Sequence, residues 1–360
     1  MSRDVLILGT GLIGTSLGIA LSRKGYHVRL SDPSPTAERL ARDLGAGELR
    51  NEDAPEPDLV VVAAPPDVAA DVVASALRRY PQAVVTDVAS VKAVILAALT
   101  SQGVDLTRYV GSHPMAGRER TGAGAARGDM FEGRAWVIVP TPTSTRTAID
   151  LVSEIGYAAG SAVSVMDAHA HDDAVAAISH LPQVAASLVA GQLRTLDEGA
   201  LALSGQGVRD VTRIAASDPR LWTQILAGNA EALREVLLRV HADLAELLAA
   251  LDDLRCGEGV GSLEVVNRTI VHGNAGRARI PGKHGAAPTA YETVTVVVQD
   301  KPGELARLFK DIGDAGVNME DMRLDHGIDQ PFGLADIVVV PSAVERLHEV
   351  LERAGWRVHD

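Results

Sequence analysis

Short, continuously apolar runs alternate with amphipathic segments over the first part of the chain. Segments such as Ile13–Lys24 and Val68–Arg79 place apolar residues at helical spacing. Between and around them, five runs rich in Val and Ile have the length of buried strands: Val5–Leu8, Val28–Leu30, Leu59–Ala63, Val84–Asp87 and Trp136–Val139. Continuously apolar strands separated by helices are typical of a parallel sheet covered on both faces. We therefore predict a doubly wound α/β domain over residues 1–165.

The pattern changes after Met166. Strand signals almost vanish and Ala and Leu predominate, which predicts a helical domain over residues 166–272. Its longest helix is expected to start at Asp218, an N-cap residue followed by Pro219. Apolar residues then recur at spacings of three and four and form one stripe: Leu233, Val236, Leu237, Val240, Leu244, Leu247, Leu248 and Leu251. We expect part of this stripe to pack on a second subunit, giving a homodimer; the alternative is that it fills only its own core.

The last part of the chain predicts a linker and a small third domain. Residues 273–290 are rich in Gly, Ala and Pro and lack periodicity, which indicates a linker. Residues 291–360 then predict strand, helix, strand, strand, helix and strand: Thr293–Val298, Gly303–Ala315, Met319–Asp325, Ala335–Val340, Ala343–Ala354 and Trp356–Val358. This βαββαβ order is typical of a ferredoxin-like sandwich.

Composition restricts the classes of function. The chain has 360 residues, 46% of them hydrophobic and 22% charged, which indicates a globular protein of two or three domains. A net charge of −13 opposes nonspecific binding to nucleic acid or anionic lipid, and no apolar run is long enough to span a membrane, so neither partner is expected. The single cysteine, Cys256, excludes an intramolecular disulfide and favours a cytoplasmic location.

A glycine-rich turn follows the first strand directly. Gly9, Gly11 and Gly14 form G-x-G-x-x-G between a strand and a helix, the context in which this motif binds a dinucleotide pyrophosphate at the helix N-terminus. Asp32 ends the second strand, where a carboxylate accepts hydrogen bonds from ribose hydroxyls and repels a 2′-phosphate. This favours NAD, although nearby Arg29 and Arg39 leave NADP open. We assign cofactor binding to Gly9, Gly11, Leu12, Ile13, Gly14 and Asp32.

Candidate reaction chemistry lies in two segments that end strands. His113, in GSHPMAGRE, is expected in a loop facing the cofactor, where an imidazole can accept a hydroxyl proton while hydride leaves the same carbon. Ser90, in VTDVASVK, can orient that histidine or the nicotinamide. The alternatives are a loop histidine with no role in catalysis and a serine that only caps a helix.

The helical domain contributes SHLPQ (Ser179–Gln183) and a cationic pair. Arg209 and Arg213 are four residues apart, so a helix would project both guanidinium groups from one face and offer a site for a carboxylate. A solvated basic face paired with Asp210 is the alternative.

Together, GTGLIGTSL, SDP, VTDVASVK, GSHPMAG, SHLPQ and RDVTRIAASDP resemble the prephenate dehydrogenases of tyrosine biosynthesis through the first two domains. The resemblance implies a Rossmann-like NAD-binding domain, an all-α substrate and dimerisation domain, and oxidative decarboxylation of prephenate to 4-hydroxyphenylpyruvate. It implies that His113 takes the C4 hydroxyl proton with Ser90 nearby. It implies a substrate site formed by Glu119, His180, Arg209, Arg213 and Trp222. Gln183 stands where many relatives have a histidine, and Arg209 where they often have a lysine.

The segment VVVQDKPGELARLFKDIGDAGVNMEDM resembles an ACT domain, a small amino-acid-sensing module. The resemblance implies an effector site at Asp300, Pro302, Gly303 and Asn318, with L-tyrosine as the expected feedback inhibitor. A structural domain without a ligand is the alternative, since tyrosine can also compete at the active site of this family.

Three alternative functions stay open. Arogenate dehydrogenase performs the same chemistry on a substrate with an amino group. A dehydrogenase of the 6-phosphogluconate type shares the domain order, but HPMAG and the Arg209 and Arg213 pair count against it. A non-catalytic, NAD-binding amino-acid sensor is the remote case.

His169 and His171, in HAHDD, are two apart and do not converge on a helix, so no metal is expected and a charged first helical turn is the interpretation.

Overall fold

The computed structural model describes residues 3–51, 53–117, 122–257, 259, 261–280, 291–326 and 331–359. It forms two compact units, residues 1–242 and 243–360, which are described in turn.

The first unit begins with the predicted parallel sheet and its helices. The strands are β1 (Asp4–Leu8), β2 (His27–Ser31), β3 (Glu48–Leu49), β4 (Leu59–Val62) and β5 (Val84–Asp87). The helices are α1 (Leu12–Arg23), α2 (Pro35–Asp43), α3 (Pro66–Arg79) and α4 (Ala93–Ser101). The sheet order is β3-β2-β1-β4-β5 and every pair is parallel. The sequence reversal beside β1 creates the crevice in which this type of sheet binds nucleotides.

A second, three-stranded sheet continues the domain. It contains β6 (Val110–Pro114), β7 (Ala135–Pro140) and β8 (Ala162–Val165), with α5 (Arg146–Ala158) between the last two. The expectation of parallel pairing is wrong for β7, which runs antiparallel to β6. The described part of the β6–β7 connection holds only a short 3₁₀ turn, Ala123–Ala125, whereas a parallel connection requires a long crossover.

The helical part begins at Ala168, close to the predicted change of pattern. It contains α6 (Ala168–Val175), a π-helical turn (Ala176–His180), α7 (Leu181–Gln192), α8 (Glu198–Ala202), α9 (Gln206–Thr212), α10 (Pro219–Gly228) and α11 (Ala230–Cys256). Asp218 caps α10 through its side chain as predicted, but α10 ends at Gly228. The longest helix of the described chain is therefore α11 and not the one that starts at Asp218.

The continuous helical stretch Ala168–Thr195 is long and apolar enough, by length and composition alone, to cross a membrane, and 28% of its most apolar 18-residue window is buried. Core helices of globular proteins meet the same criterion. His171 and Asp172, both buried in this stretch, hydrogen-bond to the nucleotide-binding part of the same unit. These contacts favour a helix of the folded core.

The second unit contains the end of α11, then α12 (Ser262–Ala278) and a small α/β sandwich. The predicted linker is wrong at its start, since α12 continues through Ala278, while residues 281–290 lie outside the described part of the chain. The βαββαβ order is confirmed: β9 (Glu292–Gln299), α13 (Glu304–Asp314), β10 (Asp321–His326), β11 (Phe332–Val339), α14 (Pro341–Arg353) and β12 (Arg357–His359). Its antiparallel sheet has the order β10-β11-β9-β12.

The apolar stripe of α11 divides into a buried and an exposed part. Leu233 and Val236, near its start, are buried in the first unit. Further along, the side chains are about half exposed in the isolated chain: Val240, Leu244, Leu248 and Leu251. Packing of this exposed part on a second subunit stays a prediction.

Candidate active site

A cavity of about 430 Å³ lies in the first unit beside the start of α1. Leu12 and Ile13 of the glycine-rich turn form one wall of it. Most of the reaction and substrate residues predicted from the sequence line it as well: Ser90, His113, His180, Arg213 and Trp222. The cavity therefore brings together segments that are far apart in the sequence.

The glycine-rich turn has the backbone shape that the motif requires. Gly9 has φ +105°, and a Cβ there would lie 2.4 Å from the carbonyl oxygen of Ala63. A Cβ on Gly14 would lie 1.9 Å from the carbonyl oxygen of Gly9, so the third glycine lets α1 pack against the turn. A Cβ on Gly11 would meet no protein atom within 4 Å. Gly11 therefore faces open space at the N-terminus of α1, where a pyrophosphate fits.

Asp32 is held at the end of β2 by two backbone groups. Its Oδ2 accepts a hydrogen bond from the amide of Thr10 at 2.7 Å, and its Oδ1 accepts one from Ser34 at 2.7 Å. Each carboxylate oxygen keeps a lone pair for a ribose hydroxyl. The anion site at Gly11 and this fixed carboxylate suit NAD.

His113 lies inside β6 rather than in the expected loop, with its ring buried at the cavity wall. Antiparallel pairing places it opposite Val137, so the backbone on both sides of the ring is fixed. Burial lowers the pKa of His113 well below its usual value, and the neighbouring His171, Lys92 and His180 lower it further. The ring is therefore neutral at neutral pH and able to accept a proton.

The hydrogen-bond partners of His113 lie in the helical part, at residues that the sequence analysis interpreted as a charged helical turn. The Nδ1 of His113 is 2.8 Å from Nε2 of His171, and Nδ1 of His171 is 2.8 Å from Oδ1 of Asp172. Both partners are buried, so this helical turn also takes part in the site. The three side chains form one line that starts at the cavity and ends at a carboxylate.

Asp172 also caps α4 from a distance. Its Oδ1 accepts the amide of Lys92 at 2.9 Å and its Oδ2 accepts the amide of Ala93 at 2.8 Å. These two donors stand at the N-terminus of α4, where backbone amides lack helical partners and the helix dipole favours an anion. One carboxylate thus binds the segment that follows Ser90 and the ring that contacts His113.

A buried ion pair lies behind β6. Lys92 is paired with Asp87 and donates to the carbonyl oxygen of Ser112 at 2.7 Å, next to His113 in sequence. Tyr109 donates to Oδ2 of Asp87 at 2.6 Å. Burial lowers the pKa of Lys92 and raises that of Tyr109 well above its usual value, while Asp87 opposes the shift of Lys92. The sequence analysis assigned no role to Asp87 or Lys92, although both lie in the segment VTDVASVK.

Ser90 lines the cavity, but among the described residues it makes no hydrogen bond to His113. The ring of His113 is oriented by His171 instead. Ser90 does not begin α4 either, because the N-cap of that helix is Lys92. No hydrogen bond from its hydroxyl is found among the residues that the structure describes, and Ser90 lines the cavity where a ligand would lie.

His180 and Trp222 form the opposite side of the cavity. Their rings are perpendicular, with centroids 6.1 Å apart. His180 is buried, Nδ2 of Asn229 lies 3.2 Å from its Nδ1, and burial lowers its pKa to about 4. Gln183 accepts a hydrogen bond from Ser217 at 3.2 Å. The wall is therefore polar and uncharged at neutral pH.

The structure separates the two predicted arginines. Both side chains are exposed, but Arg213 lines the cavity and Arg209 does not. The reason is local, since α9 ends at Thr212 and Arg213 begins a 3₁₀ turn, so the two residues do not belong to one regular helix. Glu119 lies outside the described residues.

The predicted effector residues lie at exposed turns of the second unit. Gly303 has φ +92° and precedes α13, which confirms the strand-to-helix turn after Asp300 and Pro302. Asn318 is exposed, and its Nδ2 donates to Oε1 of Glu320 at 3.2 Å.

A dinucleotide turn, a carboxylate at the end of the second strand and a neutral buried imidazole in the adjoining cavity define an NAD-dependent dehydrogenase. Two family models match the chain, the nucleotide-binding domain of prephenate dehydrogenase over residues 17–165 and its dimerization domain over residues 167–258. The chain belongs to the prephenate dehydrogenase family, and it is an NAD-dependent oxidoreductase.

Individual relatives agree with this assignment. The probable prephenate dehydrogenase NovF of Streptomyces niveus is 40% identical over 98% of this chain and 99% of its own length. A cyclohexadienyl dehydrogenase of Zymomonas mobilis is 32% identical over 69% of this chain and 88% of its own. The crystal structure of Aquifex aeolicus prephenate dehydrogenase with hydroxyphenyl propionate and NAD⁺ is 28% identical, with a TM-score of 0.65, and the match covers 76% of this chain and 98% of that one.

Proposed function

We propose that this protein catalyses the NAD-dependent oxidative decarboxylation of prephenate to 4-hydroxyphenylpyruvate. The observation that carries the proposal is the content of one 430 Å³ cavity: a neutral imidazole (His113), a cation (Arg213) and the cofactor-turn residues Leu12 and Ile13. A base, an anion partner and the cofactor site are what this reaction requires in one place.

The chain's own residues account for the movement of the proton. Bound NAD supplies the acceptor for the hydride that leaves ring carbon C4. His113 accepts the proton of the C4 hydroxyl as that hydride departs. When the ring carboxylate leaves as CO₂, the electrons of its bond complete the aromatic ring, and His113 returns the proton to the oxygen that becomes the phenol. The neutral, buried state of His113 is the state that this role needs at the outset.

The charge of the cavity favours prephenate over arogenate. Prephenate carries two carboxylates, and Arg213 offers one of them a charge-assisted hydrogen bond. Arogenate carries an ammonium group in place of the keto group, which favours a carboxylate partner. Among the described residues that line the cavity, none is Asp or Glu.

The test is direct spectrophotometric measurement of NADH formation. Prephenate and arogenate are supplied separately, each with NAD and with NADP. Turnover of prephenate with NAD supports the proposal. Turnover of arogenate alone would keep the chemistry and change the substrate, and turnover of neither would reject the assignment.

We further propose that the βαββαβ part of the second unit is an ACT domain through which L-tyrosine inhibits the enzyme. The strand order and the turn at Gly303 before α13 support this. In the full-length protein, Asn318→Ala should weaken inhibition by tyrosine and leave turnover without tyrosine unchanged. Competitive inhibition that the variant does not alter would place tyrosine at the active site instead.

A homodimer is the assembly we propose. The matched family model is a dimerization domain, and the exposed apolar side chains of α11, Val240, Leu244, Leu248 and Leu251, offer a surface for it. Burial of such a stripe against its own copy removes apolar area from water without any further partner.

A further inference from the structure

We infer that His171, backed by Asp172, is a positioning residue that sets the tautomer of His113 and shares its proton during turnover. This inference rests on the proposed function, because it assigns the machinery behind the proposed base. It comes from one row of contacts: His113 to His171 at 2.8 Å and His171 to Asp172 at 2.8 Å, all within the first unit.

The tautomers follow from the acceptor at the end of the row. A carboxylate only accepts hydrogen bonds, so the proton between Asp172 and His171 belongs to Nδ1 of His171. In the proposed resting state the ring of His171 is neutral and carries one N–H, so its Nε2 is an acceptor. His113 must then donate from its own Nδ1, which leaves Nε2 of His113 as the unprotonated nitrogen. The only ring nitrogen of His113 left for a substrate is the basic one.

The carboxylate is held so that it cannot turn away. Asp172 accepts the amides of Lys92 at 2.9 Å and Ala93 at 2.8 Å, and its own carbonyl oxygen accepts Nδ2 of Asn229 at 2.7 Å. His171 is fully buried and Asp172 almost so. A rigid acceptor of this kind orients an imidazole in the same manner as the carboxylate of a catalytic triad.

The three side chains also hold the proton that the substrate hydroxyl gives up, until it returns to the product. The substrate hydroxyl gives its proton to Nε2 of His113, and the Nδ1 proton of His113 can pass to Nε2 of His171. The resulting imidazolium lies against the Asp172 carboxylate, which stabilises it. The same two transfers run backwards when the phenolate oxygen takes the proton again, so no proton acceptor outside the protein is needed.

Two variants of His171 distinguish the loss of its hydrogen-bond acceptor from a change in side-chain volume. In His171→Gln, Oε1 stands the same number of bonds from Cα as Nε2 and can still accept from His113. His171→Met has similar size and offers only a weak acceptor. We expect His171→Met to lower kcat by about 100-fold or more while KM and NAD affinity stay near wild type, and His171→Gln to restore most of the loss. His169→Gln, an exposed histidine two residues earlier on α6, is the control and should not change kcat.

A second measurement does not depend on the substrate. Nitrogen NMR of histidine-labelled protein at neutral pH should show the ring of His113 protonated at Nδ1 and unprotonated at Nε2 in the wild type and in His171→Gln. In His171→Met the two tautomers should mix. Failure of the wild type to turn over prephenate or arogenate would reject the proposed function and leave this readout intact.

Two results would overturn the inference. One is a wild-type His113 protonated at Nε2. The other is a folded His171→Met protein whose kcat equals that of His171→Gln. The melting temperature and NAD affinity report whether His171→Met has folded, and the wild-type tautomer decides the matter if it has not.

Discussion

Burial fixes the protonation of the individual residues in this cavity. His113 and His180 are both taken out of water, and the charged form of each loses its hydration. Lys92 is buried as well, but it has Asp87 as a counter-ion. The site therefore holds two neutral imidazoles beside a paired ammonium group, which is a combination suited to accepting a proton from an anionic substrate.

Replacing the base should separate chemistry from cofactor binding. His113→Asn removes the proton acceptor but keeps a polar side chain in β6, so we expect kcat to fall by about 10²–10⁴-fold. The NAD affinity should remain nearly intact, because the glycine-rich turn and Asp32 are unchanged. Stopped-flow or steady-state NADH formation and fluorescence titration of NAD measure the two effects. Equal turnover in the variant would reject His113 as the acceptor.

The same burial makes stability depend on pH. The folded-state pKa of His180 is about 4, against 6.5 for an ordinary histidine. Between these pH values the histidine is protonated in the unfolded chain but neutral in the folded protein. The contribution of neutral His180 to the free energy of unfolding is therefore fully present above pH 6.5 and is lost as the pH falls towards 4. His113 shifts in the same direction.

We expect the free energy of unfolding to decrease through that window by up to about 1.4 kcal/mol per pH unit for each such group. Urea unfolding at a series of pH values measures the slope. His180→Gln should make the slope smaller, and an identical slope in that variant would contradict the assignment.

Local sequence pattern predicted most elements but not the contacts that complete the site. The strands of the parallel sheet follow from continuously apolar runs, the helices from apolar residues at helical spacing, and the N-cap at Asp218 from its neighbour Pro219. The partners of His113 lie 58 residues away, and the donors to Asp172 lie about 80 away, so no local pattern connects them. The sequence HAHDD by itself indicates only a charged helical turn, because the burial of His171 and Asp172 is visible only once their partners are in place.

Two glycines of the cofactor turn should differ in thermal stability after the same substitution, although both variants should bind NAD more weakly. A Cβ on Gly14 would overlap the carbonyl of Gly9, so Gly14→Ala should lower the melting temperature and weaken NAD binding together. A Cβ on Gly11 meets no protein atom within 4 Å and its φ is −70°, so Gly11→Ala should melt like the wild type.

Gly11→Ala should nonetheless bind NAD more weakly, by about tenfold or more, because the methyl group occupies the space of the pyrophosphate. Thermal melting and NAD titration of both variants are the measurements. Unchanged NAD affinity in Gly11→Ala would mean that the cofactor does not approach the turn at this residue.

At the scale of the whole molecule, the described chain leaves a considerable apolar surface uncovered. Leu244, Leu248 and Leu251 of α11 are about half exposed, and Leu263 and Ile270 of α12 are 67% and 62% exposed. Exposed apolar side chains of this number on a protein with a net charge of −13 favour a subunit interface over free surface.

Charges placed in the stripe should therefore change the assembly. The double variant Leu244→Glu and Leu248→Glu should shift the mass in light scattering from that of a dimer towards that of a monomer, because a buried carboxylate without a partner is strongly unfavourable. Arg239→Glu adds the same side chain at an exposed polar position of α11 and should leave the mass unchanged. A dimer in both proteins would place the interface elsewhere.

Asp172 reaches from α6 to the start of α4 and at the same time ends the row that begins at His113. The same carboxylate therefore holds α6 against the start of α4 and orients the proposed base. If the helical and nucleotide-binding parts of the first unit drift apart, the carboxylate leaves with α6 and the base loses its orientation in the same movement. We expect a partly opened molecule to have no turnover, so the substrate would not be oxidised while water can enter the cavity.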